Sequence, residues 1–166
     1  SCWVYQVAGN FGASPELLVR VSHGQVSARV LAGTTSRGEN SEADVAKSNA
    51  LAASEKNLQE HRFAVESMVD ALTPFCSTVD TDEKPFSLAL PDLWHLASDV
   101  YGKLKNNISV LDLAAFLHPT AAVAGTARAD AQALIAELEP FDRGGYAGPV
   151  GWIGADGDGE WAIALR

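Results

Sequence analysis

Few residues in this sequence are able to carry acid, base or metal chemistry, and they are scattered. Glu16 follows Ala13-Ser14-Pro15 at the lip of a strand-like run, and Glu60 and His61 stand together in a helical stretch. His95 lies within LWHLA, and His118 opens the tripeptide His-Pro-Thr. Carboxylates serve as general acids or as ligands for hard cations, and imidazoles as proton carriers or ligands. Spacing alone forces none of them into such a role. A lone carboxylate such as Glu16 is usually solvated, and Glu60 is placed to pair with Lys56 one turn earlier. His61 reads as a satisfied helix residue, His118 as a cation beside a helix C-terminus, and His95 as one position of a half-buried strand. The DGDGE run at 156–160 lacks the distal Glu of a calcium loop and reads as a turn. No serine elbow, phosphate loop or paired CxxC occurs.

The elements that must position these groups are organised around the stretch from Leu117 to Gly151. It reads as the end of one helix, a turn of small residues, a second helix and a glycine-rich return into a strand. Apolar residues at 131, 134, 135 and 138 predict one buried helical stripe, with Thr126 as the N-cap. The glycines at 144, 145, 148 and 151 serve turns or a close approach to a strand or ligand. They are no dinucleotide fingerprint, because the helix precedes them.

Upstream, residues 2–8 read as a strand and 11–21 as a second one disturbed by Pro15. Ser22 to Gln25 is a turn, and Val26 to Leu31 returns as the hairpin partner before the loop LAGTTSRGEN. Ser41 to about Phe75 is helical by pattern, with Ser41 as cap, Asp44 at the capping-box position and Pro74 as the stop. Leu58, Val65, Met68, Val69 and Leu72 form its apolar stripe, while Asn57, Glu60 and His61 share another face. Ser77 to Lys84 is a polar loop, and 86–90 and 93–104 are strands. Ser109 caps the short helix VLDLAAFL, and 150–153 pairs with 161–165 as a hairpin. The pattern predicts an α+β fold with antiparallel β-sheets and packed helices.

A chain of 166 residues fits one domain or a large piece of one. The net charge of −9 argues against a nucleic-acid partner and repels an anionic substrate unless the site supplies cations. No apolar run approaches the roughly 20 residues of a membrane span. Cys2 and Cys76 are too few for a disulfide framework and too far apart for a zinc pair, so a cytoplasmic setting is expected. Both ends break off in strand-like runs, so the chain reads as a fragment.

GASPELL (12–18), LAGTTSR (31–37), SEKNLQEH (54–61), LWHLAS (93–98), HPTAAVAG (118–125), ELEPFDRGGYAGPVGW (137–152) and GEWAIALR (159–166) occur in this order. Together they resemble the chorismate-utilising enzymes, most closely the isochorismate synthases, over about Phe11 to Arg166. His118-Pro119-Thr120 favours that branch. The resemblance implies that residues 1–166 are a partial chorismate-binding catalytic domain, part of the α/β sandwich of anthranilate synthase component I and its kin. It implies a Mg2+-dependent isomerase of menaquinone, salicylate or siderophore synthesis, in which water adds at C2 of chorismate and the C4 hydroxyl departs. By motif, Glu16 is the general acid, a role for which burial must raise its pKa. Glu60 is a magnesium ligand, and Ala32, Gly33 and Thr34 form the loop whose backbone approaches the substrate. His95, Ala122 and Tyr146 line the pocket, and Arg166 forks onto a substrate carboxylate.

The sequence departs from that pattern in places. Asn57 stands where many relatives carry an acid, and Ala121, Ala124 and Ala127 replace proline, glycine and proline. The resemblance places the lysine that activates water upstream of this sequence, and further metal glutamates downstream of it. A salicylate- or anthranilate-type synthase, and an inactive remnant that only binds a ligand or partner, are the other readings. The expectation is that this chain binds chorismate weakly and scarcely turns it over; activity equal to that of a complete relative would contradict it.

Overall fold

The computed structural model describes residues 2–106 and 108–165. β1 (Trp3–Val7) and β2 (Asn10–Ser14) pair antiparallel as a two-stranded sheet. β3 (Leu17–Ser22), β4 (Gln25–Ser36), β5 (Cys76–Thr81), β6 (Phe86–Ala89), β7 (Leu93–Leu104), β8 (Pro149–Ile153) and β9 (Gly159–Ile163) form a seven-stranded sheet in the order β5-β7-β4-β3-β9-β8, with β6 also along β7. Every pairing is antiparallel. The run expected as one strand over 11–21 is therefore two, in different sheets. Pro15 has no N–H to give a ladder, and the chain changes sheets there.

The β3–β4 hairpin closes at His23 and Gly24, both with positive φ (51° and 73°), the two-residue turn whose twist matches the flanking strands. β4 runs five residues beyond the expected end at Leu31. Its inward side chains Val26, Ala28 and Val30 alternate with half-buried neighbours before the pattern breaks at Leu31, which is buried as well. The polar loop expected over 77–84 is largely strand β5, because its backbone pairs with β7 although its side chains are mostly exposed.

The helical stretch is two helices, α1 (Ser41–Ala52) and α2 (Glu55–Leu72). Ser54 breaks it: its side chain accepts from the Asn57 N–H and starts a new N-terminus. Asn40, not Ser41, caps α1. Asp44 is no capping-box partner, since its carboxylate accepts from Arg37, the Gly38 N–H and the Trp94 indole. α3 (Val110–Leu117) has the expected Ser109 cap, closed as a box with Asp112. α4 (Ala121–Ala124) is one turn, and α5 (Arg128–Leu138) follows Ala127, which replaces Thr126 as the N-cap and makes no side-chain bond.

α2 and α3 cover one face of the large sheet. Leu18, Val19, Val26 and Val100 from the strands meet Leu72, Leu113 and Leu117 from the helices in a single core. The stripe predicted for α5 is not buried: none of its residues is, and Leu134 and Leu138 are exposed. Periodicity shows that a helix has an apolar side, not that something covers it. Cys76 is buried at the start of β5, its sulfur against Gly102, where an added Cβ would come within 2.8 Å of it. Among the described residues no single helix is long and apolar enough to cross a membrane.

Arg37 ties α1 to the sheet. It bonds Asp44 (2.5 and 2.8 Å) and the Leu90 carbonyl (2.8 Å), and its guanidinium lies 4.7 Å from the Trp94 ring centroid. The Arg37 guanidinium, then the Gly38 N–H, hold the Asp44 carboxyl well below the usual carboxylate range. A folded-state pKa below the unfolded one stabilises above the unfolded value, and that contribution is lost as pH falls. Asp44→Asn should therefore lower the urea midpoint at pH 6, and the gap to wild type should narrow below about pH 4. A gap independent of pH would refute this account of the clamp.

Candidate functional site

The site is built on an irregularity in β4. Leu31 pairs with Ala97 and Thr34 with His95, so β4 spends three steps where β7 spends two. The extra residue is a β-bulge, and Gly33 takes it at φ 84°, a left-handed conformation that side chains disfavour. An added Cβ there would also lie 3.2 Å from both the Asn57 Cβ and the Leu96 Cδ1, so the helix packs directly on the bulge. Asn57 itself is engaged at the start of α2, donating to the Ser54 hydroxyl at 2.8 Å.

The bulge turns the Ala32 carbonyl toward α2, where His61 Nδ1 meets it at 3.0 Å. A carbonyl only accepts, so Nδ1 carries the proton, and Nε2 accepts from the Ser98 hydroxyl at 2.9 Å. Burial pushes the His61 pKa below its ordinary value, opposed by the bond to Ala32. His61 is thus the satisfied helix residue expected from the sequence, but its partners lie on the sheet. One step along β4, Thr34 Oγ1 and His95 Nδ1 are 2.8 Å apart.

Glu16 sits between β2 and β3 with its backbone fixed on both sides. Its N–H donates to the Ser14 hydroxyl (3.2 Å), and its carbonyl accepts from Ile163 of β9 (3.1 Å). The half-buried side chain lines a small cavity with Met68, Thr120, Ala121 and Ala122. Ala64, Ala121 and Ala122 also wall an open cleft of about 710 Å³ bounded by Ala32, Glu60, Ser67 and Asp70. Glu16, Ala32, Glu60 and Ala122, distant in sequence, are therefore brought together around α4. Glu60 points into solvent, 3.8 Å from Lys56 as the helical spacing predicts.

Gly33 and Thr34 face Asn57 and His95 respectively. Tyr146 is 57% exposed and lines a separate cavity of about 430 Å³ with His118, Arg143 and Gly148. His118 Nε2 donates to the Ala147 carbonyl at 2.8 Å. The glycines after Arg143 serve chain geometry: Gly145 packs on Asn10, and Gly151 on the backbone of β9. Arg166 lies outside the described residues. Among those described, no three His, Cys, Asp or Glu converge as a metal cluster. Glu60 offers one hard oxygen on an open cleft, which fits Mg2+ as a partial donor, since that ion often takes one or two carboxylates with water and substrate oxygens.

Two participants were not singled out from the sequence. Ser98 is a small residue in a strand, with nothing to mark it. Thr120 belongs to the His-Pro-Thr tripeptide but carries no periodic signal. Its Oγ1 is buried and has no hydrogen-bond partner among the described residues.

The bulge makes its own prediction. Gly33→Ala should cost about 1–2 kcal/mol of stability from the positive φ alone. His61→Phe should speed hydrogen exchange of the 31–36 amides far more than His61→Gln, whose amide can both donate and accept. Equal protection in the two His61 variants would sink the assignment of His61 as the bulge's anchor.

Comparison with known proteins places this geometry. A family profile described as chorismate binding enzyme matches residues 3–166. Isochorismate synthase DhbC of Bacillus subtilis is 42% identical over 156 residues, covering 93% of this chain and 39% of that protein. The solved structure of DhbC from Bacillus anthracis superposes with a TM-score of 0.91 at 43% identity, over 94% of this chain and 42% of that one. MenF, the menaquinone-specific isochorismate synthase of Escherichia coli, superposes at 0.87 with 31% identity, over 94% and 36%. This chain thus spans about two-fifths of the length of the curated relative, and its mixed helix and antiparallel sheet architecture is theirs. The protein belongs to the chorismate binding enzyme family.

Proposed function

We propose that this chain forms part of the site of an isochorismate synthase, converting chorismate to isochorismate by adding water at C2 and expelling the C4 hydroxyl. The observation that carries the reading is the gathering of Glu16, Ala32, Glu60 and Ala122 around α4, in a member of a family whose similar proteins are named isochorismate synthases.

Glu16 is the proton donor. Its backbone is bonded to Ser14 of β2 and Ile163 of β9, which fixes the point from which the side chain enters the space beside α4. As the C4–O bond breaks, the Glu16 proton passes to the departing oxygen, which leaves as water. The attacking water loses its proton to the lysine that the resemblance places upstream of this sequence. Ala122 presents only a methyl group, leaving room for a ring, and the Ala32 bulge supplies a rigid backbone wall. Mg2+, held by Glu60, would offset the negative charge of the substrate carboxylates and of a chain at net −9. Menaquinone, salicylate and siderophore synthesis all begin from that product.

The test is a long incubation of the protein with chorismate and Mg2+ in ¹⁸O-water, products being separated and weighed. A ring product carrying solvent oxygen, without pyruvate, is expected from wild type in low yield, and none from Glu16→Gln. Release of pyruvate would assign the chain to a salicylate- or anthranilate-type synthase. Product from Glu16→Gln at the wild-type rate would remove Glu16 from the chemistry.

A further inference from the structure

Thr120 carries a hydroxyl whose oxygen is shielded from solvent and bonded to nothing among the described residues. Such a group is costly to bury unmet, and native structures seldom leave one so. Although Thr120 stands at the N-cap position of α4, its side chain makes no capping bond. Capping does not explain it.

Thr120 helps line a cavity of about 20 Å³, and Glu16 lines the same space, with Ala121, Ala122, Met68 and Ile163 as apolar walls. That volume decides the occupant. A water molecule needs roughly 10–15 Å³ of such space and two or more polar partners, whereas a six-membered ring with two carboxylates needs many times more. We propose that Thr120 and Glu16 jointly hold one ordered water, and that Thr120 is a positioning residue acting through this water on the Glu16 carboxyl. The water accepts from or donates to the Thr120 hydroxyl, fills the cavity that both residues line and holds the Glu16 carboxyl in one rotamer. The role in turnover rests on the reading of Glu16 as the acid; the water site does not.

Two variants test it. Thr120→Val keeps the shape and removes the hydroxyl, and Thr120→Ser keeps the hydroxyl. A high-resolution crystal structure should show a water between Thr120 and Glu16 in wild type and in Thr120→Ser, and none in Thr120→Val. Turnover of chorismate should fall roughly 10-fold in kcat for Thr120→Val, a fraction of the effect of a general acid itself, with KM unchanged because the hydroxyl does not touch substrate. Thr120→Ser should retain wild-type kcat. Wild-type crystals without that water, or a folded Thr120→Val with full kcat, would overturn the inference. Wild-type protein that holds the water yet converts no chorismate would establish the water site and refute turnover by this chain alone.

Discussion

The arrangement of the cleft depends on one extra residue in β4. Without the bulge at Ala32 and Gly33, β4 and β7 would pair without interruption, and the Ala32 carbonyl would be spent on the ladder. With it, that carbonyl turns to the helix layer, where the buried His61 receives it and is itself fixed by Ser98 of β7. One imidazole thus ties β4, β7 and α2 at a single point. Glu60 is the preceding residue on the helix, so the same anchor sets where that carboxylate leaves α2. A buried polar group met on both sides adds specificity that apolar packing does not, since no other register of helix on sheet satisfies it. Glycine at 33 is the local condition, because both the positive φ and the closeness of Asn57 disfavour a side chain.

Much of this was legible in the residues. Strand alternation located β4, β6 and β7, and the Ser109 cap and the β8–β9 hairpin were readable from turn and cap chemistry. His61 read as a satisfied helix residue on the face of Asn57 and Glu60, and its burial and its partners on the sheet came only with the fold. What stayed hidden depended on tertiary context. β5 is a strand by pairing and not by composition, so Ser77 to Thr81 read as a loop. The break at Ser54 needed the choice between a mid-helix serine and a new cap, which periodicity does not make. α5 carries a stripe that no described residue covers.

Family motifs and geometry inform each other unevenly. The motifs grouped Glu16, Ala32, Glu60 and Ala122 as one site, and the fold assembles these four around α4. They also grouped Tyr146 with them, whereas the fold sets it on a separate cavity beside His118. Asn57, a departure from the usual acid, packs on the bulge and bonds Ser54, so its amide is engaged in structure. The short walls of the cleft, Ala32, Ala64, Ala121 and Ala122, keep its volume open while leaving polar work to a few groups at its margins.

The two cysteines differ in a way that matters at the bench. Cys2 is exposed ahead of β1, whereas Cys76 is buried and burial holds its thiol above the usual range. Since the thiolate is the reacting species, alkylating reagents will discriminate between them without any mutation. A maleimide dye or nitroxide therefore reaches a single address, one residue before Trp3. Through the Trp3 indole and its bond to Glu160 of β9, a probe at that address reads the seating of the small sheet on the large one.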